Sequence, residues 1–64
     1  MQKQELIEVI LTTHESLNLS MIDTIIHISE EYNIEVEQIA QQIKSNTKIK
    51  EALKKEGKEL NLFK

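Results

Sequence analysis

The stretch Ser20-Met21-Ile22-Asp23-Thr24-Ile25-Ile26-His27-Ile28-Ser29-Glu30-Glu31-Tyr32-Asn33-Ile34-Glu35-Val36-Glu37-Gln38-Ile39-Ala40-Gln41-Gln42-Ile43 reads as two short helices joined by a tight turn. Ser20 is a residue type that caps a helix start, and Asp23, three positions on, stands where the acid of a capping box stands. The helix so begun runs to about Tyr32. Met21, Ile22, Ile25, Ile26, Ile28 and Tyr32 form its apolar side, and Asp23, His27, Glu30 and Glu31 face water. Asn33 tolerates the left-handed conformation that ends a helix. The next helix, near Glu35 to Lys44, then carries Val36, Ile39, Ala40 and Ile43 at i, i+3, i+4 and i+7, the spacing of one buried face.

Working outward, Leu6, Ile7, Val9, Ile10 and Leu11 cover a broad arc of a helix over about Gln2 to Ser16, with Leu17 beyond it. The arc is wider than one packing contact needs, so this helix is expected to meet neighbours on two sides, or a partner on one. Leu17 to Ser20 reads as a connection. After Ile43, the polar Ser45-Asn46-Thr47 offers a turn and a cap for a helix over about Lys48 to Glu56, packed through Ile49, Ala52 and Leu53, with Gly57 just past its end. Glu56 falls beside that apolar stripe, where fraying or a nearby lysine is the only account the sequence offers. The expectation is an all-α fold, a small bundle of about four short helices, forming a single domain over residues 1–64 with a short apolar tail at 59–64.

A chain of 64 residues with no cysteine has no disulfide to steady it, and a structural zinc site without cysteine would be unusual. A domain of this size buries only about 60% of its unfolded surface and keeps a margin of roughly 3–5 kcal/mol, so helix packing or a partner must supply the stability. No apolar run is long enough to span a bilayer, and Met1-Gln2-Lys3-Gln4-Glu5 lacks the order of a signal peptide, which points to the cytoplasm. The net charge of −3 hides a split: residues 1–43 carry one lysine against eight acids, and residues 44–64 seven lysines against three. The two halves should face different surroundings. Every basic residue is lysine, which weakens a case for base reading in DNA, where guanidinium contacts to guanine dominate.

Few constellations could carry chemistry. Ser20, Asp23 and His27 share one side of a helix at i, i+3 and i+7, but capping explains the first two, and a convex helix surface has no oxyanion donors. His14, at the margin of the first apolar arc, lacks a second histidine at i+4 and reads as a satisfied core-edge side chain rather than a metal ligand. A single glycine rules out a glycine-rich phosphate loop. Neither an enzyme nor a cofactor or metal site is expected. Lys50, Lys54 and Lys58 recur every four residues and could contact phosphate through charge alone, but the simpler reading is a solvated side with Glu51 and Glu59 interspersed. The turn at Tyr32 to Val36 also has the shape of a helix-turn-helix. Acidic residues crowd its would-be reading helix and would repel DNA, leaving at most weak or non-specific binding.

Surplus apolar surface suggests a partner protein. Met21, Ile25, Ile28 and Tyr32 are expected to form a groove for an amphipathic helix, and Leu60, Leu62 and Phe63 a wall or tail anchor. The tail Glu59-Leu60-Asn61-Leu62-Phe63 has two readings: it folds back onto the core, or it resembles the Gln-Leu-x-Leu-Phe peptides that dock on a sliding clamp, with Glu59 in place of glutamine.

Taken in order, Ile7-Glu8-x-x-Leu11, Leu19-Ser20-Met21-Ile22-Asp23, Glu30-Glu31-Tyr32-Asn33-Ile34-Glu35, Ile49-Lys50-x-x-Leu53 and Glu59-Leu60-Asn61-Leu62 resemble the late-transcription coactivators of large tailed phages, over about residues 6–63. The resemblance implies a small helical protein that binds the flap of the host RNA polymerase β subunit, where the last domain of a sigma factor docks. It also implies work beside a phage late sigma-like protein and a link to the sliding clamp, with repression in the clamp's absence and activation in its presence. In that family an apolar, acidic extension after the helical domain holds the clamp. Here only Lys64 follows Leu60-Asn61-Leu62-Phe63, so clamp binding is expected to be missing, moved to another protein, or served by Leu60 to Phe63. Two other classes stay open: a small helix-turn-helix DNA-binding regulator, and a self-associating helical protein.

Overall fold

The computed structural model describes residues 2–57. They form four helices: α1 (Lys3–Leu17), α2 (Met21–Tyr32), α3 (Val36–Ile43) and α4 (Thr47–Lys55). No strand occurs among the described residues, so the chain is an all-α bundle. Lys58 to Lys64, and with them the expected tail anchors Leu60, Leu62 and Phe63, lie outside the described residues.

Local chemistry sets both ends of α2 and α4 and the end of α1. Ser20 caps α2, its Oγ accepting from the Asp23 amide at 3.2 Å, and Asn46 caps α4, its Oδ1 accepting from the Ile49 amide at 3.0 Å. Asn18 and Asn33 end α1 and α2 in the left-handed region, at φ 54° and 55°. Asparagine visits that region more readily than other residues with a Cβ. At the α2–α3 turn the Ile34 amide donates to the Ser29 carbonyl at 3.0 Å, while the Ser29 hydroxyl donates back to the Ile34 carbonyl. Gly57 follows α4 at φ +72°, where glycine carries no steric cost.

Helix α2 is the centre of the bundle: it packs against α1, α3 and α4, and α1 also packs against α3. The core joins Leu6 and Ile10 of α1, Met21, Ile25 and Ile28 of α2, Ile39 and Ile43 of α3, and Ile49 and Leu53 of α4. The broad α1 arc is divided, with Leu6 and Ile10 sealed inside and Ile7, Val9 and Leu11 partly covered at the rim.

One assignment on α2 needs correction, and one burial there had no signal in the sequence. Thr24 is wholly buried, its hydroxyl donating to the Ser20 carbonyl at 2.8 Å, whereas Ile26, expected on the apolar side, is 43% exposed. With neighbours on three sides, the helix buries the face running through Met21, Thr24, Ile25 and Ile28, and Ile26 lies off it. The burial of Thr24 is tolerated because its one polar atom is hydrogen-bonded within its own helix.

Glu56 also receives a different explanation. Its carboxylate accepts from the Met21 amide at 2.6 Å and the Ile22 amide at 3.1 Å. Fraying does not account for it. It closes the start of α2 from across the bundle.

Candidate functional site

The expected groove through Met21, Ile25, Ile28 and Tyr32 does not exist in that form. Met21, Ile25 and Ile28 are each no more than 1% exposed, because α2 is covered by three other helices and spends these side chains on the core. Tyr32, at the far end of α2, is 45% exposed. Its position at the last turn carries it past the packed part of the helix.

Around Tyr32 the α1–α2 side opens into two adjoining depressions. One, of about 250 Å³, is bounded by Thr13, Leu17, His27, Glu31 and Tyr32, with buried Ile28 contributing to its floor. The other, of about 430 Å³, is bounded by Glu5, Glu8, Val9, Thr12 and Tyr32. Thr12, Thr13 and Tyr32 belong to both, so the two form one open groove along α1. Leu17, read from sequence as part of a connection, is the last residue of α1 and is 50% exposed on this groove. Sequence reasoning missed Leu17, Glu5 and Glu8 as neighbours of Tyr32. The usable signal was the width of the α1 arc, which showed surplus apolar surface without saying which residues it would stand beside.

The other constellations have structural occupations. Ser20 is spent on the α2 cap, Asp23 is exposed, and His27 Nε2 lies 3.5 Å from a Glu31 carboxylate oxygen. Nothing brings Ser20 and His27 together as a nucleophile and base. No group of three or more His, Cys, Asp or Glu residues among the described ones could hold a metal. His14 is at the edge of α1's apolar arc as expected, but its Nδ1 is buried without a hydrogen-bond partner, not satisfied. On α4, Lys54 is exposed and Lys50 partly buried, while Lys58 lies outside the described residues. Lys54 and Lys55 occupy the last turn of α4, where cations complement the helix dipole. No described helix is long and apolar enough to cross a membrane.

The expected helix-turn-helix corresponds to α2, the turn at Asn33 to Glu35, and α3. The would-be reading helix α3 exposes Glu37, Gln38, Gln41 and Gln42 and contains no basic residue. Such a surface offers no phosphate grip.

Comparison with curated proteins and with solved structures gave no significant match. The model of one protein family, the phage late-transcription coactivators, matches over residues 1–64. The four-helix architecture and the ordered short motifs seen along the sequence agree with that match, and the chain belongs to the phage late-transcription coactivator family.

Proposed function

We propose that this coactivator is an adaptor that docks on the β-flap of the host RNA polymerase in the cytoplasm of the infected bacterium, to support or regulate transcription from late promoters. The observation that carries the reading is the family match over residues 1–64. The surface supports it: an open, apolar-floored groove with a half-exposed tyrosine is the kind of feature a helix of another protein fills. A phage sigma-like factor and the sliding clamp are the further partners this role would bring, the clamp through Leu60, Leu62 and Phe63.

The test is co-elution of the purified chain with polymerase holoenzyme. Binding that disappears when the flap tip is deleted supports the reading, and binding that survives the deletion sinks it. A self-associating protein would instead sediment as a dimer or larger at micromolar concentration.

A further inference from the structure

We propose that the groove centred on Tyr32, between α1 and α2, is the docking surface for a basic amphipathic helix of a partner protein. The inference rests on the adaptor reading above and gives its partner surface a chemistry.

Three observations converge on this groove. Leu17, Ile26 and Tyr32 are the large apolar side chains most exposed among the described residues, and two of the three line it. Aromatic and aliphatic groups on the wall of a depression, with apolar floor beneath them, are what an anchoring side chain needs. Among the described residues the charges around them have one sign: Glu5, Glu8 and Glu31 line the groove, and no described lysine does. Lys3, the only lysine or arginine in residues 2–43, is engaged elsewhere, its Nζ donating to Ser45 Oγ at 2.8 Å. Among the described residues that line the groove, His27 is the one that could carry positive charge, and its Nε2 lies 3.5 Å from a Glu31 carboxylate oxygen. Among the described residues no lysine offsets Glu5 and Glu8, so the groove attracts lysine or arginine and repels phosphate.

A second copy of this chain fits less well. Its basic helix is α4, but Ile49 and Leu53 of α4 are completely buried in their own core. That helix could supply charge to the groove but no large apolar anchor. A helix with lysine or arginine beside a free apolar stripe supplies both.

The probe is a synthetic helix of leucine and lysine with a single leucine stripe, titrated into isotope-labelled full-length chain and followed by NMR. Two control peptides replace lysine by glutamate, or leucine by glutamine. The expected result is amide shifts at Thr12, Thr13, Leu17 and Tyr32 with the leucine–lysine helix alone, weakening as salt is added. Tyr32→Ala should weaken binding about tenfold or more, as for an interface anchor, with helicity checked by circular dichroism. Glu8→Lys, at an exposed position on α1, should weaken it without touching the core. The proposal is overturned if groove amides stay still, if shifts map to α4, if either control peptide binds equally, or if the same amides move on dilution of the chain alone. A polymerase flap fragment is added in a separate arm. Failure of that fragment with retained leucine–lysine binding sinks the polymerase reading alone, whereas flap binding with a silent groove in both arms sinks this inference alone.

Discussion

The Glu56 carboxylate reaches back over the start of α2 and accepts from the Met21 amide at 2.6 Å, a contact spanning 35 positions of sequence. With Ile22 donating to the same carboxylate and Asp23 to Ser20 Oγ, the otherwise unpaired amides of the first three helical residues are satisfied, and Thr24 makes the first regular helical bond to the Ser20 carbonyl. A negative charge at that end also complements the helix dipole. The residue just past α4 thus holds the central helix.

Glu56→Ala should therefore destabilise the fold by about 1–2 kcal/mol, the range for a lost cap with dipole complementarity. Urea unfolding followed by circular dichroism measures it. Glu56→Gln, which keeps an acceptor but not the charge, should fall between wild type and Ala. Equal stability of all three would show that the carboxylate contributes nothing to the α2 start.

Adjacent isoleucines should behave oppositely. Ile25 is fully buried and Ile26 is 43% exposed. Ile25→Ala should cost about 2–5 kcal/mol, enough to consume most of a small domain's margin and leave the chain largely unfolded at 25 °C. Ile26→Ala should change stability by less than about 0.5 kcal/mol. Thermal melts of the two variants settle the comparison, and similar melting temperatures would contradict the burial pattern.

Asn33 ends α2 at φ 55°. Replacing it by alanine forces an ordinary side chain into the left-handed region, at an expected cost of about 1 kcal/mol, whereas Asn33→Gly should be close to neutral. Chemical denaturation of the pair is the check, and an alanine variant as stable as the glycine variant would mean the turn relaxes to a different backbone.

Duplex DNA should not bind specifically. Helix α3 presents glutamate and glutamine where a reading helix presents basic side chains. In fluorescence anisotropy, any association seen at low salt should vanish at physiological ionic strength and show no preference among sequences. Saturable, sequence-dependent binding at physiological salt would restore the helix-turn-helix regulator.

The helices were readable from local chemistry because the signals that make them act over three or four residues. Ser20, Asn33 and Asn46 each do at their own position what their side-chain chemistry suggests, and the Val36, Ile39, Ala40 and Ile43 spacing admits one buried face. The family was also recoverable from short motifs in order, and the match over residues 1–64 agrees with it. Packing lies outside such signals. Periodicity showed that α2 had apolar surface, but the three helices crowding it chose Thr24 over Ile26 for burial, withdrew Met21 and Ile25 from any docking face and left Ile28 only in the floor of the groove.

The amino-acid order thus dictated four helices, the caps of α2 and α4 and an acidic first half, since propensity, capping and charge are properties of neighbours along the chain. Folding in three dimensions assigned Glu56 to the Met21 amide and set Tyr32 beside Leu17, Glu5 and Glu8. Those juxtapositions join residues far apart in sequence, and only the crossing of α1, α2 and α4 brings them within reach of one another.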